Sequence, residues 1–465
     1  MATGGKTTQD GAPESRLPRG PHSLSREQVA SNQRERLMRA MIDLVGGQGY
    51  GATTVAEVIA RAEVSRKAFY EHYENKQDCF LAAYDAAVAQ GFERVAGAVR
   101  EAGGLQQEFG SGLGALFEGA VESPSIQRVV LVEIAALGPA GIERREQLIS
   151  AYEELLRETL GASPRPGTIP NPLLRAVVGS ILKVLYSRVQ SGAQRQLPRL
   201  VPDLVRWSLS YYPLPAAMDA IRELRPNGPP VALAGGRAPG TLSPWSTSSR
   251  GRGASRRTPS LSRSFLVHSQ RERILDAVAQ LSAEKGYANL TLDDIAERAA
   301  VSLQAFYEHF ADKEDAFLVA YEVGHGKGRA IVERVHDAAP DWPHAVRAGI
   351  AALLEFLASE PAFAHMALVD ALIATPRTAE RSNKGIVRYA ELLVPGLDEA
   401  PASRRPPDVT IEAIAGGIFE LCLTYTVQGR VAELTELTPW ATYFALAPFI
   451  GPEKAGQVAA APAAS

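Results

Sequence analysis

Two stretches decide the fold of this chain: VSRKAFYEHY from Val64 to Tyr73 and VSLQAFYEHF from Val301 to Phe310. They lie 237 residues apart and differ mainly at their third and fourth positions. In each, a serine precedes a short segment with an apolar face, which is typical of a helix that begins at a capping hydroxyl. The repetition extends well beyond these ten residues.

The whole chain of 465 residues reads as an internal repeat. Residues 33–84 match residues 270–321 without a gap, with about 24 of 52 positions identical. Further along, the match thins but keeps its register, so that Gly179 falls on Gly416. The sequence therefore predicts two copies of a unit of roughly 190 residues, a period too long for a short-repeat solenoid.

Composition predicts where the two copies begin and end. The segment from 225 to 264 is rich in Pro, Gly and Ser and holds seven arginines and no acidic residue, which is typical of a flexible linker. The predicted organisation is a disordered arm at 1–30, a first head at 31–84, a first body at 85–224, a flexible basic linker at 225–267, a second head at 268–321, a second body at 322–452 and a disordered tail at 453–465.

The bulk composition is that of a protein expected to stay in the cytoplasm. Two cysteines, Cys79 and Cys422, are too few for a disulfide framework. No apolar run reaches the ~18–20 residues of a membrane span, and the N-terminal residues lack the apolar core of a secretory signal. The net charge of −3 does not itself indicate a nucleic-acid partner, so any such signal must be local.

The sequence predicts neither an enzyme nor a cofactor or metal site. The glycine-rich stretches at 110–119 and 324–329 follow no strand and do not complete a phosphate-binding loop. The histidines of the second body show no metal-ligand spacing and have no cysteine cluster beside them. We interpret these glycines as parts of helices or of the breaks between them.

Each copy is predicted to be helical throughout, which makes the fold class all-α. Thr54 with Glu57, and Thr291 with Asp294, fit capping boxes at the start of a short helix. A tight break and a second capped helix follow. Two short helices joined by three or four residues match the helix-turn-helix geometry, whose second helix enters the DNA major groove.

At these residues the chain resembles the TetR family of transcriptional regulators. VSRKAFYEHYENK and VSLQAFYEHFADK both fit the end of the family's three-helix DNA-binding head, which precedes a divergent helical body for ligand binding and dimerisation. The glycine that usually precedes VS is here Glu63 or Ala300, and each must adopt the turn that the glycine serves.

The resemblance assigns DNA-contacting residues in both heads. In the first head it implies base reading by Arg66 and Lys67, and backbone contacts by Thr54, Tyr70, His72 and Lys76. In the second head it implies base reading by Leu303 and Gln304, and backbone contacts by Thr291, Tyr307, His309 and Lys313. Arginine suits guanine, glutamine suits adenine and leucine suits a thymine methyl group.

The two heads differ in charge. Residues 33–84 hold seven basic and seven acidic residues, whereas residues 270–321 hold five basic and ten acidic residues. Because phosphates repel an acidic surface, two interpretations of the second head stay open: a working DNA reader, or a scaffold that no longer binds. The basic linker is likewise either a solvated tether or an arm for the minor groove.

The sequence thus predicts a transcriptional regulator, most often a repressor in families of this kind, whose partners are double-stranded DNA and a small-molecule effector. The last two helices of each body are expected near 171–192 with 199–212 and near 408–429 with 434–447, where the resemblance implies dimerisation. Two bodies on one chain favour an intramolecular pseudo-dimer on an asymmetric operator, although a homodimer of chains is possible. The alternative is a ligand-binding or protein-interaction module on a relic fold.

Overall fold

The computed structural model describes residues 25–161, 171–212, 214–218, 263–402 and 405–461. Every regular element within these ranges is helical, which confirms the all-α prediction. The chain divides into two compact units, residues 1–87 and 88–465. The predicted arm up to residue 24 and most of the predicted linker lie outside the described residues.

The first unit is the first head. Its apolar core is made of fully buried side chains on all four helices, among them Leu37, Val58, Phe69 and Phe80. Its helices are α1 (Arg26–Gln48), α2 (Val55–Ala62), α3 (Arg66–His72) and the beginning of α4 (Lys76–Glu101).

The first helix begins earlier than the sequence predicted. The Ser25 hydroxyl accepts a hydrogen bond from the Gln28 amide at 3.1 Å, and the Gln28 side chain accepts one from the Ser25 amide at 2.8 Å. This reciprocal cap starts the helix at Arg26, so residues 26–30 are helical rather than part of a disordered arm.

Within its described residues, the first body includes five further α-helices after α4. Its α-helices are α5 (Leu105–Glu122), α6 (Pro124–Leu131), α7 (Pro139–Gly161), α8 (Asn171–Gln190) and α9 (Leu197–Leu209). Short 3-10 helices lie at Glu133–Leu137, Gln194–Gln196 and Ala216–Met218.

The second head repeats the arrangement of the first. Ile274, Ile295, Phe306 and Phe317 are fully buried in its core. The described backbone of its first helix begins at Arg263, inside the segment predicted as linker. Its elements are α10 (Arg263–Lys285), a 3-10 helix (Tyr287–Asn289), α11 (Leu292–Ala299), α12 (Leu303–Tyr307) and α13 (Lys313–Asp337).

The second body ends later than predicted. Residues 452–460, placed in a disordered tail from residue 453, instead form a helix whose Ala455, Val458 and Ala459 are buried. The helices of this body are α14 (Trp342–Ser359), α15 (Pro361–His365), α16 (Ala371–Ile373), α17 (Pro376–Ala390), α18 (Gly396–Glu399), α19 (Val409–Val427), α20 (Thr438–Ile450) and α21 (Pro452–Ala460). A π-helical turn lies at Met366–Asp370, and 3-10 helices lie at Glu391–Leu393 and Val431–Leu437.

The two bodies pack on each other through the helices that the sequence placed last in each copy. Helix α8 of the first body lies along α19 of the second, and their apolar side chains share one core. Beside them, the Tyr211 hydroxyl donates to the Phe444 carbonyl at 3.0 Å, and the Tyr443 hydroxyl donates to the Tyr211 carbonyl at 3.0 Å. The apolar character of these helices thus serves an internal core.

Among the described residues, α19 is apolar and long enough to cross a membrane, as is the bent pair formed by Trp342–Ser359 and Pro361–Ile373. Within α19, 72% of the apolar window is buried inside the protein. Packing against α8 accounts for that hydrophobicity.

Candidate nucleic-acid interface

Helix α3 presents a basic and aromatic face to solvent. The Ser65 hydroxyl accepts a hydrogen bond from the Ala68 amide at 3.0 Å and thereby fixes where the helix begins. Phe69 is fully buried and holds the inner face. Lys67 is 87% exposed, and the Arg66 guanidinium lies 5.7 Å from the centre of the exposed Tyr70 ring. These side chains are free to reach a groove.

The equivalent helix of the second head, α12, presents a different face. Leu303 is 40% exposed and Tyr307 is 56% exposed, while Phe306 is fully buried. Gln304 is also exposed. The helix ends at Tyr307, two positions earlier than the equivalent end of α3 at His72, and it carries no charged residue. The structure therefore places both pairs of predicted base readers on the outer face, with unlike chemistry.

Two residues of the first head that were predicted to contact the DNA backbone, Thr54 and Lys76, make hydrogen bonds within the head itself. The Thr54 hydroxyl caps α2 by accepting from the Glu57 amide at 3.3 Å, and it donates to the Glu57 carboxylate at 2.8 Å. The Lys76 ammonium donates to the carbonyls of Tyr50 and Thr53, each at 2.9 Å. Burial lowers the pKa of Lys76. Both residues hold the α1–α2 connection in place.

The second head repeats these contacts. Thr291 caps α11 together with Asp294, as the sequence predicted. The Lys313 ammonium donates to the Tyr287 carbonyl at 3.2 Å and to the Leu290 carbonyl at 2.9 Å. Burial lowers the pKa of Lys313 as well. Some residues that are identical in the two copies therefore serve to hold the head together.

The two histidines differ in their surroundings. His72 lies 3.2 Å from the side-chain oxygen of Gln33, and burial and the nearby Arg34 lower its pKa, which favours the neutral ring. The buried Nε2 of His309 has no hydrogen-bond partner among the described residues. A neutral imidazole can contact a phosphate only as a hydrogen-bond donor.

The turn before each recognition helix adopts the conformation that glycine usually serves. Glu63 has φ 50° and ψ 45°, and Ala300 has φ 51° and ψ 51°, which is the left-handed region. They are the only non-glycine residues with positive φ in the described ranges. The Arg36 guanidinium donates to the Glu63 carbonyl at 3.0 Å and supports this turn. Glu63 and Ala300 therefore both adopt the left-handed turn that glycine usually serves at this position.

Several cations of the second head are already paired. Arg298 binds the Glu284 carboxylate through both of its terminal nitrogens, at 2.8 and 2.7 Å. Lys285 forms an ion pair with Asp294. With Lys313 held by two carbonyls, few of this head's basic groups are available for phosphates.

The second head is also tied to its own body. Asp370 is almost completely buried, and its carboxylate accepts from the Tyr287 amide at 3.3 Å and lies 3.2 Å from His365 Nδ1. Asp370 ends the π-helical turn at Met366–Asp370, a type of distortion that is frequent at functional sites. Sequence reasoning missed this contact because it joins residues 83 positions apart.

Both bodies contain an apolar cavity at equivalent positions. The cavity of the second body measures about 140 Å³ and that of the first about 80 Å³. Tyr152 lines the first and Tyr389, its counterpart at an offset of 237, lines the second. The walls have diverged, because Val99 of the first cavity corresponds to His336 of the second.

The second cavity has polar groups that the first lacks. The buried Ser382 hydroxyl lies beside Tyr321 in the cavity wall. The His336 Nε2 atom is buried and has no hydrogen-bond partner in the described part of the chain. His325 Nε2 donates to the Gly385 carbonyl at 3.1 Å, and burial lowers the pKa of its ring. No group of His, Cys, Asp and Glu in the described ranges could hold a metal ion.

The family comparison agrees with this geometry. The family described as "Bacterial regulatory proteins, tetR family" matches residues 37–83 and again residues 274–320, which are the two heads. Both heads are tetR family domains. It carries two helix-turn-helix units of this family in tandem, as the repeat predicted.

Solved structures similar to the chain include other regulators. The fatty acid degradation regulator FadR of Bacillus halodurans is 16% identical over 38% of this chain and 97% of its own, with a TM-score of 0.34. FadR of Bacillus subtilis, solved with stearoyl-CoA, is 15% identical over 38% and 97%, with a TM-score of 0.35. A TetR-like regulator from Rhodococcus sp. RHA1 is 19% identical over 42% and 99%, with a TM-score of 0.34.

Proposed function

We propose that this tetR family regulator is a ligand-responsive repressor that acts as a single-chain pseudo-dimer on an asymmetric operator. The observation that carries the proposal is the difference between two equivalent helices. Arg66 and Lys67 stand on α3 where Leu303 and Gln304 stand on α12, and all four are exposed beside a buried phenylalanine. Similar scaffolds with unlike outer faces favour two half-sites of unlike sequence.

The base contacts follow from side-chain chemistry. Arg66 can donate two hydrogen bonds to the O6 and N7 atoms of guanine, and Gln304 can bind adenine through its N6 and N7 atoms. Leu303 offers an apolar contact to the methyl group of thymine. Tyr70 and Tyr307, both exposed, are proposed to contact the DNA backbone, which positions each helix without specifying sequence.

Four other assigned residues are proposed to act through hydrogen bonds within each head. Thr54, Lys76, Thr291 and Lys313 fix the connection in front of each helix-turn-helix, so they set the height and angle of the recognition helix. Lys76 uses two of its three N–H groups for the carbonyls of Tyr50 and Thr53.

The pseudo-dimer is supported by the packing of α8 on α19 and by the hydrogen bonds across the two bodies between Tyr211, just after α9, and α20. A homodimer must read a palindrome, because both of its recognition helices have the same sequence. One chain with two unlike heads has no such constraint. Light scattering at low micromolar concentration should find a particle near 49.8 kDa, the mass of one chain.

The effector is proposed to occupy the cavity of the second body. Phe363, Ala367 and Leu368 line this cavity, and they belong to the segment that carries Asp370 to the Tyr287 amide of the second head. A ligand that fits only one position of this segment would shift the head, because only differential affinity moves a conformational equilibrium. The unpaired Nε2 atom of His336 favours an apolar molecule with at least one hydrogen-bonding group.

The decisive experiment selects duplexes from a random pool at stated salt and footprints the best one. The expected site has two unlike half-sites roughly 34–36 Å apart on one face of the duplex. Replacing Leu303 and Gln304 by Arg and Lys should make the second half-site resemble the first, with a loss of roughly 1–3 kcal/mol per contact on the original site.

The matched control adds the same kind of charge elsewhere. Val387→Arg places a cation on an exposed position of α17, away from the reader positions, and should leave the selected sequence unchanged. A selected sequence that ignores the change at 303 and 304, with protection of one half-site only, would show that α12 reads nothing.

One observation favours that second outcome, in which the second head is a scaffold. Arg298, Lys285 and Lys313 are all held by internal acceptors, and the head carries an excess of acidic residues. In this case the first head alone would bind DNA and the second would serve to hold its body. The footprint separates the two cases directly.

A further inference from the structure

Helices α8 and α19 cross where each has a glycine, Gly179 on α8 and Gly416 on α19. Each glycine lies against a charged residue of the opposite helix. A Cβ atom on Gly179 would lie 2.4 Å from Glu420 Cβ, and one on Gly416 would lie 2.6 Å from Lys183 Cβ. At the repeat offset of 237, Gly179 corresponds to Gly416 and Lys183 corresponds to Glu420. The crossing is therefore approximately two-fold, except that Lys183 and Glu420, which occupy equivalent positions, carry opposite charges.

The first half of the chain, which consists of the first head and the first body, supplies the cations of this crossing. Arg145 on α7 donates to both carboxylate oxygens of Glu420, at 3.1 and 2.6 Å. Arg188 on α8 donates to both oxygens of Glu412, at 2.9 and 2.8 Å. Arg175 lies 3.8 Å from Glu420.

The second half supplies the anions. Glu420 is only 1% exposed, and although its burial alone would raise the pKa, the Arg145 guanidinium holds the pKa below its usual value. Lys183 of the first half donates to the Asn383 side chain of the second. Burial lowers the pKa of Lys183 to about 8, and Glu412 partly opposes this.

The charges are segregated by half at equivalent positions. Arg175 corresponds to Glu412, and Lys183 corresponds to Glu420. A symmetric dimer of chains paired through like halves could not place opposite charges there, because both partners would present the same residue. The sequence offset and the contacts together make this an interface between unlike surfaces.

Pairing two first halves in this geometry would juxtapose cations. The Arg145 of one copy would face Lys183 of the other, which takes the place of Glu420. Arg188 would face Arg175, which takes the place of Glu412. Glu146, the counterpart of Asn383, offers no relief because both its oxygens are already bound by Arg175, at 2.6 and 2.9 Å.

Pairing two second halves would bury anions. Glu420 would face Ser382, the counterpart of Arg145, and Glu412, the counterpart of Arg175. A buried carboxylate without a cationic partner is strongly destabilising. Both like pairings are thus disfavoured by the same segregation of charge that stabilises the unlike pairing.

We infer that the α8 and α19 faces form a heterotypic docking surface, in which each half accepts the other half of this protein and rejects a second copy of itself. The cationic surface on α7 and α8, which carries Arg145 and Arg188, pairs with the anionic surface on α19, which carries Glu412 and Glu420. The inference rests on the pairing of the two bodies proposed above and is independent of whether either head binds DNA.

The test uses the full chain with a specific protease site introduced between residues 225 and 262, cleaved after folding. Native mass spectrometry of the cleaved and re-equilibrated protein should find one first half with one second half. Arg188→Glu should weaken this association by roughly tenfold or more, as should Glu412→Arg, because each sets like charges against each other. The double variant Arg188→Glu with Glu412→Arg should recover most of the loss.

Exchange between two cleaved samples tests specificity and shows that the halves do re-equilibrate. When cleaved wild-type protein is mixed with the cleaved double variant, each half should return to its matched partner, with matched pairs in roughly tenfold excess over mixed pairs. Reversing Arg298 and Glu284, an ion pair inside the second head, is the control and should leave the sorting random.

Two outcomes would overturn the inference: homodimers of either half in amounts comparable with the mixed pair, or random sorting of wild-type and double-variant halves. Binding of the uncleaved variants to the selected duplex is measured in parallel. If DNA binding fails while the halves still sort, the proposed function is wrong and the docking surface stands. If sorting fails while DNA binding is retained, the reverse holds.

Discussion

Lys76 offers the sharpest separation between a scaffold role and a DNA contact. Its ammonium donates to the carbonyls of Tyr50 and Thr53, each at 2.9 Å, and lies 4.0 Å from the centre of the Tyr50 ring. Hydrogen bonds to charged groups contribute about 1.5–3 kcal/mol each. Because the ammonium is only partly buried, we expect Lys76→Met to destabilise the first head by about 2–4 kcal/mol in total.

The assay is amide hydrogen exchange of the full chain, read by mass spectrometry on peptides of α1 to α3. A loss of about 2–4 kcal/mol corresponds to roughly 30- to 900-fold faster opening of these helices. In the same variant, the slope of log affinity against log salt should stay unchanged once the unfolded fraction is accounted for. A residue that holds the backbone contributes no counterion release.

Lys67→Met is the matched control and should give the opposite pattern. Lys67 is 87% exposed, and its ammonium has an ion pair with Glu71 at 3.6 Å. Its loss should change stability by less than about 0.5 kcal/mol and reduce the salt slope by roughly 0.9 if it neutralises a phosphate. If Lys76→Met leaves exchange of the head unchanged but lowers the salt slope by that amount, the scaffold assignment is refuted.

Three further substitutions test other parts of the fold. Ala300→Gly should stabilise the second head by up to about 1 kcal/mol in urea unfolding because it removes a left-handed alanine, whereas Ala299→Gly in the preceding helix should destabilise it. Gly416→Ala should lower stability by roughly 1–3 kcal/mol through its clash with Lys183, while Gly326→Ala, where nothing lies within 4 Å, should be neutral or stabilising. Because the folded pKa of Lys183 is about 8 and its ordinary value is 10.5, the folded state releases its proton first. Stability should therefore rise between pH 8 and 10.5, by at most about 1.4 kcal/mol per pH unit, and Lys183→Met should abolish this rise. A flat profile in the wild type would contradict the lowered pKa of the buried Lys183.

The local features of the heads were predictable because they depend on residues close in sequence. Caps at Thr54, Ser65 and Thr291 need only a hydroxyl and an amide three residues later, and all three are present. Because each pattern occurs in both copies, the sequence supports each prediction twice. The exposed position of the predicted base readers follows from the same local periodicity, since Phe69 and Phe306 fix the opposite face.

The features that were missed depend on contacts far apart in sequence. The segment PEKAGQVAA reads as an alanine-rich tail, yet it forms α21, where a Cβ on Gly456 would lie 2.8 Å from Pro215. Helices this short are marginal alone and are stabilised by tertiary packing. Lys76 matched a pattern associated with phosphate contacts, and only the fold shows the two carbonyls that it binds.

In the sequence, the charged crossing of α8 and α19 is visible only as a difference in charge between equivalent positions of the two copies. A comparison of identical residues shows only what the copies share. A comparison of side-chain charge shows that Lys183 corresponds to Glu420 at the repeat offset. Even so, the meaning of that difference requires knowing that the two positions lie over each other's glycines. A change of sign on an exposed face would have had no such consequence.

The asymmetry of the heads and the asymmetry of the interface depend on each other. If like halves could pair, two chains would assemble with two first heads on one side and two second heads on the other, and each pair would read a palindrome. The proposed reader positions, Arg66 and Lys67 against Leu303 and Gln304, would give a distinct operator only when one head of each kind is held together. Tethering already favours that arrangement by raising the local concentration to about millimolar, and the segregated charges add selectivity that no linker supplies. A variant in which the halves no longer discriminate should therefore keep its affinity for each half-site while losing preference for the joined asymmetric site at high protein concentration.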